Sequence, residues 1–213
     1  MDKILLYPAY FPCVLQMAAI AQSNSVVFEI HDNYQKQTYR NRAYIAHSNG
    51  KLLLNVPVIK HNTEKTHRRT MDIQTSSDMD WHLHHYKSIE SAYRSSPFFE
   101  FYIDDLKPLF SSSIRNLQEH NLRLFDILCE VLDWDIETST TTTYQTDFEG
   151  WDLRELINSK KKIKHSFTPY IQVFDEENGF LPNLSILDLL FNLGPNTLDY
   201  LKNEKIDFGS FVK

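Results

Sequence analysis

Ten consecutive residues, Asn33-Tyr34-Gln35-Lys36-Gln37-Thr38-Tyr39-Arg40-Asn41-Arg42, concentrate three cations, four amide side chains and two tyrosines. A guanidinium presents a planar fork of donors that matches phosphate or carboxylate oxygens two at a time, so the chemistry on offer is anion recognition. Thr38, Tyr39 and the lack of a 3.6-residue apolar period predict an extended segment. In an extended chain Lys36, Arg40 and Arg42 fall on one face, where their charges repel unless an anion or carboxylates answer them. Tyr10, Gln35 and Asn41 are the polar groups expected to orient the ligand beside them. The competing expectation is a solvated edge strand whose charges discourage pairing with other chains, or arginines that pair with structural carboxylates such as Asp32 or Asp188.

These side chains need a frame, and the first thirty residues supply one. Ile4-Leu5-Leu6 reads as a short buried strand that runs into the Pro-stiffened turn Tyr7-Pro8-Ala9-Tyr10-Phe11-Pro12. Cys13 to Ala21 has helical composition, and Ser23-Asn24-Ser25 separates it from the β-branched run Val26-Val27-Phe28. Strand, helix and strand within about 28 residues pack as a right-handed parallel unit. That places the Tyr7–Pro12 turn at the carboxyl end of the first strand, where open α/β sheets bind ligands, and residues 31–42 leave from the same edge.

The next element is a hairpin, Ala43 to His47 and Leu52 to Val58, around the turn Ser48-Asn49-Gly50. It opens onto a polar, basic loop from Lys60 to Arg69, which suits either a lid over an anionic substrate or a solvated loop. From Asp80 the pattern is helical: Trp81, His85, Ile89 and Ala92 share a face, Ser95-Ser96-Pro97 ends it, and Ile114 to Leu132 repeats apolar residues at helical spacing. His82-x-His84-His85 resembles a metal site, but only His82 and His85 share a helical face, and no metal is expected. Thr138 to Thr143 is β-prone low-complexity sequence within a connection, and Asp152 to Ile157 is a short helix leading into the Lys160–Lys164 run. Asn183 or Ser185 can cap a final Leu-rich helix closed by Gly194-Pro195, and Ser185-x-x-Asp188 fits a capping box. The expected fold is a single α/β domain with a mixed sheet: a sheet-rich part over 1–79, a helical part over 80–135, a connection over 136–168 and a helix-containing part over 169–213.

Composition narrows the function. With 5 Gly and neither G-x-G-x-x-G nor G-x-x-x-x-G-K-[ST], glycine-loop nucleotide sites are disfavoured and no cofactor is expected. A net charge of -6 leaves no general nucleic-acid footprint. Cys13 and Cys129 form no disulfide framework, as expected in a reducing cytoplasm; Cys13 is either a thiol activated at a helix N-terminus or a small core residue. Residues 4 to 28 carry no charge and Ala19-Ile20-Ala21 mimics a cleavage site, but Pro8 and Pro12 interrupt the run, so a cytoplasmic chain without a membrane span is expected. No serine-hydrolase elbow or glycosidase carboxylate pair can be nominated, so the catalytic residues are unassigned. What remains is a phosphorylated or nucleotide-linked small molecule held for transfer by positioning and charge.

The chain resembles the WbqC-like protein family. The likeness rests on Tyr7-Pro8-x-Tyr10-Phe11-Pro12, on the 33–42 stretch, and on Leu54-x-Val56-Pro57-Val58. It extends through Ser88-Ile89-x-x-Ala92-Tyr93-x-x-x-Pro97-Phe98-Phe99 to Gly179-Phe180-x-Pro182-Asn183-Leu184-Ser185-Ile186-Leu187-Asp188-Leu189-Leu190-Phe191-Asn192. The resemblance implies a role in bacterial surface-polysaccharide (O-antigen) biosynthesis, as a transferase moving an acyl or aminoacyl group onto a nucleotide-activated or phosphorylated sugar. It carries over no catalytic residue, and a non-catalytic binding or assembly protein of the same pathway is the alternative. The order of the first elements is also similar to the nucleotidylyltransferase fold, which would make the chain a nucleotide binder. Gln16-Met17-Ala18-Ala19 stands where that fold's His-x-Gly-His signature would fall, however. Self-association into a homo-oligomer is left open.

Overall fold

The computed structural model describes residues 1–59, 68–77, 80–111, 114–161 and 165–211. Its frame is a four-stranded parallel sheet in the order β5-β2-β1-β6, built from β1 (Lys3–Leu6), β2 (Ser25–Phe28), β5 (Glu137–Thr140) and β6 (Trp151–Asp152). α1 (Val14–Ala21) makes the first crossover, and Ile4 pairs with Val26 while Leu6 pairs with Phe28. The expected strand-helix-strand unit is therefore present. Ile4, Leu5 and Leu6 are buried on both faces, the pattern of a central parallel strand covered by helices on either side.

The Thr-rich run is the first departure from expectation. Residues 137–140 form an edge strand rather than only a connection, with Val26 against Thr138 and Phe28 against Thr140. Threonine is β-branched and tolerates an edge whose outer side faces water. Trp151–Asp152 then pairs with Ile4 and Leu5 on the far side of β1. The helix expected from Asp152 is a single 3-10 turn, Arg154–Ile157, because its first residue belongs to that strand.

The hairpin follows its sequence signal. β3 (Arg42–His47) and β4 (Gly50–Asn55) are antiparallel, with Gly50 at φ 105° in the turn, where only glycine is unstrained. The helical middle comprises α2 (Trp81–Tyr93), α3 (Phe99–Leu106) and α4 (Leu117–Val131). Asn116 caps α4 by accepting from the Glu119 amide, and Phe125 of α4 meets Phe28 at 5.0 Å between ring centres, so this helix packs on the sheet. The chain ends in α5 (Asp175–Asn178), α6 (Ile186–Leu193) and α7 (Thr197–Asn203). No helix among the described residues is long and apolar enough to cross a membrane.

α6 settles the reading of the last dense motif. Ser185 caps it, its hydroxyl accepting from the Leu187 amide, but Asp188 does not reach back to complete a capping box. The Asp188 carboxylate is instead fully buried, accepting from Tyr93 Oη at 2.9 Å, Gln172 Nε2 at 2.7 Å and Tyr170 Oη. Burial still raises its pKa, with the three donors opposing the shift. Asp188 is thus a cross-link between α2, α6 and the segment at 170–172.

Candidate functional site

Every loop that leaves the carboxyl ends of the parallel strands contributes a polar group to one edge. Tyr7 follows β1, Glu29 and Asp32 follow β2, Thr141 follows β5 and Arg154 follows β6. The chain moves outward from β1 to β2 and β5 and then returns to β6 on the other side of β1. The switch in direction therefore lies between Tyr7 and Arg154, the crevice where open α/β sheets bind ligands.

A row of alternating cations and aromatic rings runs along this edge. The Arg40 guanidinium lies 4.0 Å over the Tyr7 ring, Arg154 lies 6.0 Å from the same ring, and Arg154 lies 5.0 Å over Tyr144. Arg154 is held by Asp152 through Nε at 2.9 Å and Nη2 at 2.6 Å, and by the Gln145 carbonyl at 2.8 Å. Glu29, fully buried beneath it, accepts from the Thr141 hydroxyl and from the His31 and Gln145 amides at 2.8–2.9 Å. Burial raises the Tyr7 pKa, the Asp32 carboxylate adds to the rise and Arg40 opposes it, so Tyr7 stays a neutral phenol. Beside Arg154 and Tyr144 opens a groove of ≈ 690 Å³ whose walls include Asp147, Glu149 and Asp152.

At the other end of the row stands Tyr34. Its pKa is raised by burial, while Arg40, Arg42 and Arg68 each pull it down, so three guanidiniums act on one phenol. Backbone pairing brings Arg68 there: the Tyr34 amide donates to the Arg68 carbonyl at 2.8 Å and the Thr70 amide to the Asp32 carbonyl at 2.9 Å. Arg40 is fully buried and ion-paired to Asp32. Burial nonetheless raises the Asp32 pKa, with Arg40 opposing. Arg42 is different: its half-buried guanidinium makes no ion pair among the described residues, and its Nε lacks a hydrogen-bond partner. Among the described residues, Arg68 Nη1 donates to the Ile59 carbonyl at 2.8 Å.

The residues singled out from sequence separate into two groups. The segment 33–41 is not a strand; it bends, with Gln37 at φ 63°, and only Arg42 enters β3. The alternation that put Lys36, Arg40 and Arg42 on one face therefore does not apply. The charges of Arg40, Arg42 and Arg68 are all felt by the Tyr34 phenol, whereas Gln35 and Lys36 stand exposed on the loop. Asn41 is buried and ties the loop to the hairpin, its Nδ2 donating to the Val56 carbonyl at 2.9 Å. The Tyr7–Pro12 turn does meet the stretch, the Tyr10 amide donating to the Tyr39 carbonyl at 2.8 Å. Tyr10 itself is fully buried, hydrogen-bonded to His85 Nδ1 at 2.8 Å, and it is Tyr7 that stacks on Arg40. Of the three histidines at 82–85, only His85 turns inward. Cys13 is not an activated thiol: burial pushes its pKa up to about 11.

Residues missed in the sequence are Tyr7, Tyr34, Arg68, Glu29 and Arg154. Arg68 belongs to the basic loop expected to be either a lid or solvated, and Tyr7 and Tyr34 belong to the two motifs named from sequence. Residues 60–67 of that stretch, like Lys162 to Lys164 of the second basic run, lie outside the described residues. Glu29 and Arg154 carried no local signal, since only the sheet order brings them together.

An open parallel sheet with arginines and tyrosines at the carboxyl ends of its strands defines an α/β protein with a candidate anion site. The chain belongs to the WbqC-like protein family, whose model matches residues 7–166 and so spans the whole of that edge. The Gly179–Asn192 block lies beyond the matched span. A relative from Mycobacterium tuberculosis, named "Uncharacterized protein Rv1507c", is 29% identical, with 82% of this chain and 87% of the relative covered. No solved structure matches the chain.

Proposed function

We propose that the protein binds a phosphorylated or nucleotide-linked sugar at this edge, as a transferase of bacterial surface-polysaccharide assembly that moves an acyl or aminoacyl group. The observation that carries the binding site is Arg42, a half-buried guanidinium without an ionic partner among the described residues, beside Tyr34 and Arg68. A desolvated cation without a counter-charge is costly, and a phosphate that accepts from Arg42 and Arg68 offsets the cost. Arg40 is committed to Asp32 and acts behind them, fixing the charge and the Tyr7 ring. Gln35 and Lys36 meet the ligand from the solvent side. The carboxylates of the groove beside Arg154 suit sugar hydroxyls, which donate hydrogen bonds, better than a second phosphate.

The non-catalytic reading has its own support, because the buried Arg40–Asp32 pair is a structural use of a residue from the motif. One experiment addresses the shared premise. Calorimetry with UDP-linked amino sugars against the Arg42→Ala and Arg68→Ala variants should show at least about tenfold weaker binding in each. Unchanged affinity in folded variants removes the proposal. Retained binding without group transfer to any acyl acceptor favours the assembly role.

A further inference from the structure

A second groove, of ≈ 300 Å³, lies between Tyr39 of the 33–42 loop and the β3–β4 hairpin. Its walls include Tyr39, Tyr44, Lys51, Ser159, Lys161 and His165, and no Asp or Glu among the described residues lines it, although the chain carries six more acidic than basic side chains. The Lys51 ammonium donates to the neutral Pro182 carbonyl and makes no ion pair among the described residues. Lys51 keeps much of its surface in solvent; desolvation lowers its pKa, while the charge of Asp188 opposes the shift. Lys161 is only loosely paired, 3.6 Å from Glu155. His165 is fixed in place, its Nε2 lying 2.8 Å from Glu204. The rings of Tyr39 and Tyr44 meet edge to face at 6.3 Å, giving the groove an aromatic wall beside its cations.

The hairpin register relates this groove to the first site. Arg42 lies opposite Asn55 and Ala46 opposite Lys51, so Arg42, Tyr44 and Lys51 all project from one face of the hairpin. Four residues separate the two levels, which places the two cationic ends about 13 Å apart along the strand. Group transfer between two anionic small molecules needs two such sites within reach of each other.

We propose that this groove is a second, separate binding site for a small phosphorylated sugar, with Lys51 and Lys161 on the phosphate and Tyr44 against the sugar ring. It does not depend on the first site being occupied. The test is amide-shift titration of the full chain with glucose 1-phosphate, with glucose as the uncharged control. Saturable shifts are expected at the Tyr44, Ser159 and His165 amides, absent with glucose, weakened about tenfold by Lys51→Gln and retained by Lys51→Arg. Arg42→Ala should leave these shifts in place. Shifts that fail to saturate, that glucose reproduces, or that survive Lys51→Gln unchanged overturn the proposal. Shifts confined to the Tyr34 and Arg68 amides overturn it as well, while leaving the first site standing.

Discussion

Arg40 and Arg42, two residues apart, show how the same side chain can take opposite roles. Arg40 is buried beside Asp32 under the Tyr7 ring, whereas Arg42 keeps part of its surface and makes no ion pair among the described residues. The two should respond differently to mutation. Removing one half of a buried ion pair strands the other charge, so Arg40→Met and Asp32→Asn should each lower unfolding free energy by about 3–5 kcal/mol. The double variant, which leaves no charge behind, should cost less than the sum of the two. Urea denaturation of the four proteins measures this cycle, and additive losses would show that the pair is not coupled. Residue types and spacing alone singled out the arginines of this stretch as candidates for anion recognition. They named Asp32 as a possible counter-charge but could not say which arginine it takes, and the approach of Arg68 depends on a chain pairing that no local pattern encodes.

Elements were easier to read wherever their signal was a period or a punctuation mark. The Asn-Gly turn set the hairpin, Pro-rich turns bounded the first helix, and Gly194-Pro195 closed α6. Those that escaped detection are the edge strand at 137–140 and the two-residue strand β6, too short for alternation to register and dependent on β1 and β2 for every pairing. α6 also illustrates what a helix can conceal. Its capping motif was visible, but the partners of Asp188 come from α2 and from residues 170–172, remote in sequence. Tyr170→Phe should therefore destabilise the protein by about 1–3 kcal/mol, because a buried carboxylate loses a donor and nothing replaces it. Gly194→Ala tests the other end of the helix: φ is 53°, and an added Cβ would lie 2.5 Å from the Phe98 ring. A loss of about 1–3 kcal/mol is expected there too, and a melting temperature that stays at the wild-type value in either variant would contradict the packing described here.

At the scale of the whole molecule, two buried imidazoles couple the fold to pH. His85 and His120 stand with Tyr10 and Trp81 where the Tyr7–Pro12 turn, α2 and α4 meet, and burial pushes both pKa values down to about 4. Arg123 and His85 add to the shift at His120, while His82 and His84 act on His85. His85 Nδ1 lies 2.8 Å from the Tyr10 hydroxyl, from which the neutral ring can accept. The unfolded chain takes up these protons near pH 6.5, well before the folded protein does. The stabilisation is therefore complete above about pH 6.5 and is lost as pH falls towards 4, by an amount on the order of 2–3 kcal/mol per imidazole. Asp32 and Asp188 act in the opposite sense, since their raised pKa values favour the folded state as they protonate. His120→Leu isolates the effect. His120 Nε2 has no hydrogen-bond partner, so the substitution should leave stability at pH 7.5 unchanged or higher and make the decline between pH 6.5 and 4 about half as steep. Thermal unfolding of wild type and variant across that range decides the matter: parallel curves would mean that His120 is not one of the groups through which acid unfolds the protein.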